Sequence, residues 1–157
     1  MRLSHIQYYF PHRLDLLKAL LEGQLASYKK EMEEFLAEKD PSPRKKLSKA
    51  LDYILAVNQS QMDNSLMWNI WAMSCHNDQV LEIMDDFYCV YRETYRRLIA
   101  DCVPEMDRGR QEEIAAIAVS ILEGASLITG AGRPTHAELS ELDTAIRDTI
   151  LRLVFND

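Results

Sequence analysis

Histidine, cysteine and acidic side chains do most protein chemistry, and their spacing in this chain argues against a reactive centre. A di-iron bundle uses Glu-x-x-His pairs on facing helices, yet none of the four His has a Glu three residues before it. No HExxH pattern and no His pair at helical ligand spacing occurs. Cys75, Cys89 and Cys102 lie 14 and 13 residues apart with no CxxC pair. That spacing argues against a zinc site or a disulfide framework and suits a reducing compartment. Asp85 and Asp86 are adjacent, so on a helix they point apart and read as a solvated face. Gly124 to Gly132 lacks the Gly-Lys-Ser/Thr and the preceding strand of a phosphate loop. Helix packing at Gly124 and a helix end at Gly130 and Gly132 is the better reading. Cys89 has no neighbouring base in the sequence. The expectation is a non-enzyme that uses no metal and no cofactor.

The aromatic residues carry more information. Trp68 and Trp71 are three apart and share a helix face. Large aromatics are usually core, and that is the first expectation for them. The competing reading makes them walls of a ligand pocket with Met67, Met84, Tyr88, Tyr91 and Tyr95, drawn from residues 62–102. Such a cavity attracts a quaternary ammonium through its ring faces. His76 reads as an exposed turn residue, and Arg92, Arg96 and Arg97 as surface partners of Glu93 and neighbouring acids.

These side chains must be positioned by helices. The 157 residues are 47% hydrophobic and 27% charged, with only five Gly and five Pro. That composition excludes disorder and favours long helices over a turn-rich β fold. Leu14, Leu17, Leu21, Leu25, Tyr28, Met32 and Phe35 recur at steps of three and four, which predicts a first helix of about six turns. Pro41 and Pro43 end it, and Ser42-Pro43 reads as the cap and first position of a second helix through Leu47, Leu51 and Ile54. A third spans about residues 62–74. Asp78 is expected to cap a fourth, whose inner face is Leu81, Met84, Tyr88 or Phe87, Tyr91, Tyr95, Leu98 and Cys102. The fifth runs over about residues 107–129 and has no charge at 114–122. Thr135 or Ser140 opens the sixth, striped by Leu139, Leu142, Ile146, Ile150 and Leu153. No alternating strand pattern occurs, so the fold class is all-α with six helices. No run approaches about 18 apolar residues and no signal-peptide core is present, so a cytoplasmic protein without membrane contact is expected.

The net charge of −7 disfavours nucleic-acid binding by the body of the chain, but residues 1–50 are net +3 while residues 51–157 are net −10. The opening segment MRLSHIQYYFPHRLDLLKALLEGQL resembles the end of the TetR-type helix-turn-helix domain, where an aromatic-rich recognition helix closes on Phe and a Leu-rich linking helix follows. Ile6 stands at the buried Leu position, Tyr8 at the Tyr, Phe10 at the closing Phe and Arg13 where a phosphate-binding Lys is usual. His12 departs from the small cap and Gln7 from an aromatic residue. The resemblance implies DNA-facing roles for Ser4, His5, Gln7, Tyr8, Tyr9 and Arg13. It makes residues 1–13 a remnant of the DNA-binding domain that lacks its first two helices. Residues 14–157 would then be the ligand-binding and dimerisation domain. MWNIWAMSCHNDQVLEIMDDFYCVYRETYRRLIADCV resembles the ligand-binding half of the branch that includes choline-responsive betaine regulators, and AIAVSILEGASLI resembles the family's penultimate helix.

Two functions from different classes follow. One is a ligand-responsive regulator of the repressor type, with operator DNA and a small-molecule effector as partners. The other is a headless dimeric module that binds a ligand or titrates partners without touching DNA. In both, the fifth and sixth helices are expected to form a homodimer interface through Ile114, Ile117, Ala118, Ile121, Gly124, Ala125, Ile146, Ile150 and Leu153, because one chain has too little surface to cover two such apolar helices.

Overall fold

The computed structural model describes residues 8–37, 42–57, 61–130 and 132–156. Every regular element among them is helical: α1 (Arg13–Ala37), α2 (Pro43–Val57), α3 (Gln61–Ser74), α4 (Asp78–Cys102), α5 (Arg108–Thr129), a short 3-10 turn (Ala137–Leu139) and α6 (Leu142–Phe155). The fold is all-α. Tyr8 and Tyr9 are also helical and largely exposed, whereas Ser4, His5 and Gln7 lie outside the described residues.

The helix ends follow local chemistry, with three departures from the sequence reading. Ser42 Oγ accepts the Lys45 amide at 3.4 Å and Pro43 opens α2, as the sequence implies. At α4 the cap is Asn77, one residue before Asp78: its Oδ1 accepts the amides of Gln79 at 3.0 Å and Val80 at 3.2 Å. Asp78 instead adds negative charge to the first turn, where the helix dipole favours it. Asp107 caps α5 in the same way through Gly109 and Arg110. After α5, Gly130 is extended and Gly132 takes the left-handed φ of 82°, so the second glycine makes the reversal. Neither Thr135 nor Ser140 caps α6. A 3-10 turn precedes it, and Glu141 at the cap position makes no side-chain bond. At α1 the His12 amide donates to the Asp15 carboxylate at 3.3 Å, so Asp15 reaches back to cap the helix where His12 has no suitable side chain.

Helix α4 is the hub, packing against α1, α2, α3 and α5, while α6 lies on α2 and α5. Leu21, Leu47, Leu51, Ile54, Ile70, Met84, Tyr95, Leu98, Ile99, Ile114, Leu122 and Ile150 are the largest fully buried side chains. Each aliphatic one contributes about 1.5–3 kcal/mol relative to exposure. On α4 the inward stripe begins at Val80, while Leu81 is 48% exposed. The start of α4 therefore turns one position from the face expected for it. Lys46 is buried with its Nζ donating to the Leu36 carbonyl at 2.8 Å and to Asp101 at 2.6 Å. This one side chain ties the end of α1 to α2 and α4.

The apolar circumference of α5 divides into two faces. Ile114, Ala118 and Ala125 are buried within the chain, as are Ile146 and Ile150 of α6. A partner cannot reach these five, which corrects their assignment to a dimer interface. The helices of one chain cover more of α5 than its pattern suggested, because α4 and α6 flank it. Ile117, Ile121, Gly124 and Leu153 remain partly exposed, and Leu127 and Ile128 are 54% and 55% exposed. Gly124 does not serve close packing inside the chain: a Cβ there would meet nothing within 4 Å.

Candidate functional site

Helices α3, α4 and α5 enclose an outer cleft of about 720 Å³ whose walls include Trp68, Trp71, Met84, Tyr88, Val119 and Leu127. Its polar groups are Asp85, Arg92, Ser120 and Glu123. A second, inner cavity of about 550 Å³ lies among α1 to α5, between Tyr28, Tyr53, Met67, Phe87 and Tyr91. Trp68 and Glu123 line both spaces.

The rings are fixed by one another. Trp71 Nε1 donates to Tyr88 Oη at 3.0 Å, and their centroids are 5.4 Å apart. Tyr91 stands edge-to-face to Tyr28 at 4.7 Å and to Tyr95 at 5.2 Å. The Tyr91 and Tyr95 hydroxyls are 3.4 Å apart. Such aromatic pairs contribute about 0.5–1.5 kcal/mol each beyond area burial. The Arg133 guanidinium, just beyond α5, sits 4.4 Å from the Trp68 ring centroid.

Glu123 dominates the electrostatics. Burial pushes its carboxyl above the ordinary range, and the Tyr88 hydroxyl beside it draws it partly back. Among the described residues Glu123 makes no ion pair, and Arg92, which lines the same cleft, is bonded to Cys89 Sγ instead. Burial also raises the Tyr88 and Tyr91 hydroxyls far above their usual value, with the Glu123 charge adding to the effect. Both phenols are therefore neutral donors at physiological pH. In the inner cavity, the buried Gln24 Oε1 has no hydrogen-bond partner, and the Tyr28 hydroxyl has only the Tyr95 hydroxyl beside it. A buried acceptor without a donor costs about 1–3 kcal/mol.

The structure distributes the expected pocket residues over two spaces. Trp68, Trp71, Met84 and Tyr88 line the outer cleft, Met67 and Tyr91 the inner cavity, and Tyr95 neither. Tyr95 is 2% exposed and supports Tyr91 from behind, which corrects its place in the pocket. Trp71 is 42% exposed, so it is a cleft wall and not core. Of the three arginines, Arg96 pairs with Glu93 at 2.6 Å and Arg97 with Glu33 at 2.6 Å. Arg92 departs from this pattern: it reaches Cys89 Sγ at 3.4 Å and lines the cleft. His76 is an exposed turn residue. Arg13 is exposed and its Nη2 meets Met73 Sδ at 3.4 Å, bracing the start of α1 on α3. Sequence reasoning missed Glu123, although a signal was there: it is the only charged residue from 114 to 132. It also missed Gln24 and Tyr28, which become informative only when their burial is known.

Bundled helices around an aromatic cleft with a largely buried acid define an all-α helical domain. Residues 43–154 match the family described as BetI-type transcriptional repressor, C-terminal, and the chain belongs to this TetR-type family. The match spans α2 to α6 almost to its end. No curated protein matches the chain. Among the described residues, no helix is long and apolar enough to cross a membrane.

Proposed function

We propose that this chain is an effector-responsive transcriptional regulator whose effector is a small organic cation. One observation carries the reading: the Glu123 carboxylate is largely buried beside Trp68 and Tyr88 with no cationic side chain paired to it. A buried charge without a partner is strongly unfavourable, and a bound cation supplies that partner. The ring faces of Trp71 and Tyr88 add cation–π attraction of about 0.5–2 kcal/mol, the Arg133 guanidinium already standing over the Trp68 ring. The Ser120 hydroxyl of this lining is held by the Ala116 carbonyl at 2.8 Å, and the site is read as a binding site and not a catalytic one.

Assembly and response follow from the same helices. The partly exposed stripe Ile117, Ile121, Gly124 and Ile128 of α5, with Leu153 of α6, is read as the homodimer face, while Leu127 lines the outer cleft. The α5 helix offers Glu123 to the effector and this stripe to a partner chain, while the inner cavity also touches α1. An effector that favours one arrangement of α1 against α5 shifts the population of dimer geometries, and with it operator affinity. Arg13, at the start of α1, is assigned a phosphate contact in that complex, and Tyr8 and Tyr9 base-proximal roles.

The test is a titration followed by tryptophan fluorescence, comparing choline with its uncharged carbon isostere, 3,3-dimethylbutanol. Choline is expected to quench or shift Trp68 and Trp71 emission at concentrations where the neutral alcohol has no effect. Equal affinity for the two molecules overturns the cation reading.

A further inference from the structure

The inner cavity contains more than the binding of a simple monocation requires. Among the described residues its charged liners are Glu31 and Glu123, and no Lys, Arg or His lines it. Two of its lining residues, Gln24 and Tyr28 on α1, bring buried polar atoms to it: Gln24 Oε1 has no hydrogen-bond partner, and Tyr28 Oη has only the Tyr95 hydroxyl beside it. Gln24 Oε1 is an acceptor only, so whatever satisfies it must donate an N–H or O–H. Glu31, on the same helix as these two, adds an anionic acceptor. Helical spacing explains the grouping: Gln24, Tyr28 and Glu31 stand four and three residues apart, so they lie along one face of α1. Glu123 and Trp68 line the inner and outer spaces alike, so one carboxylate is offered to both. The apolar and aromatic part of the lining is Tyr53, Val57, Leu66, Met67, Phe87 and Tyr91, which suits a methylene chain.

We propose that the effector is an aliphatic diammonium ion, a diamine or short polyamine, with one ammonium at Glu123 and the second at the Gln24–Tyr28–Glu31 face of α1. The inference rests on the cation reading of the site and adds a second binding point to it. Two ammonium groups supply six N–H donors, enough to satisfy Gln24 Oε1, Tyr28 Oη and both carboxylates. The alkyl chain excludes water from the aromatic lining between them. A ligand held at both ends also bridges α1 to α5, the pair of helices that the proposed response requires to move together.

The experiment is calorimetric titration of the full chain with putrescine, cadaverine and spermidine, each compared with n-butylamine or n-pentylamine. At least one diamine is expected to bind about tenfold or more tightly than the monoamine of equal length, the gain of one charge-assisted hydrogen bond. Glu31→Gln and Gln24→Leu should each reduce that advantage while leaving monoamine affinity in place. Glu123→Gln should weaken both classes. Equal binding of diamines and monoamines, or a diamine advantage untouched by both α1 variants, overturns the second subsite and leaves the cation reading standing. Binding of n-pentanol as strong as that of n-pentylamine, or no binding of any amine, overturns both.

Discussion

Glu123→Gln is the most informative perturbation, because binding and stability should move in opposite directions. The substitution is nearly isosteric, and the amide oxygen can still accept from Tyr88. It removes the buried negative charge, which in the free protein has no cationic partner. In the native protein, burial holds this carboxyl above its ordinary value. Between the unfolded and native pKa values the native state therefore binds more protons than the unfolded chain. Stability then falls as pH rises through that window and is flat above it. Glutamine does not titrate, so the variant should lose this component of the slope and be the more stable protein at neutral pH. Relief of one poorly compensated buried polar group contributes on the order of 1 kcal/mol. For a chain of this length that raises Tm by about 2–4 °C. Affinity for choline should fall about tenfold, since the ring faces remain while the charge is gone. Scanning calorimetry across pH 4 to about pH 8, with fluorescence titration alongside, reads both effects. A variant less stable than the parent at neutral pH, with unchanged choline affinity, would refute the reasoning and make Glu123 a structural acceptor for Tyr88.

Lys46→Met keeps the aliphatic stem but leaves the Leu36 carbonyl without its donor and Asp101 without its partner. Urea unfolding should show a loss of about 1–3 kcal/mol, whereas Asp101→Asn, at a half-exposed carboxylate, should cost less; equal stability of Lys46→Met and the parent contradicts the tie between α1, α2 and α4. Ile121→Glu, on the outward stripe of α5, should halve the mass seen by light scattering, while Ile114→Ala, fully buried inside the chain, should cost about 2–5 kcal/mol and leave the mass unchanged. A parent protein that scatters as a single chain at micromolar concentration sinks the dimer. Asn77→Ala should cost about 1 kcal/mol by releasing the Gln79 and Val80 amides, and Asp78→Ala less, which thermal unfolding distinguishes.

Helix number, order and approximate ends were legible in the sequence because they depend on local chemistry: apolar spacing near 3.6, Ser42-Pro43 at one start, Pro41 and the glycines at two ends. The aromatic composition of the cleft was legible for the same reason, since Trp68 and Trp71 had to share a face wherever α3 was placed. Tertiary structure decided everything that depends on which face meets which neighbour. A residue's spacing shows that α5 has apolar residues all round, but only packing against α4 and α6 separates buried Ile114 from half-exposed Ile121. The same packing placed Tyr95 behind Tyr91 and left Trp71 at the cleft edge. It also buried Gln24 Oε1 without a partner and set Glu123 between two cavities. Periodicity describes one helix at a time, whereas burial, unmet hydrogen bonds and carboxyl electrostatics are properties of several helices together.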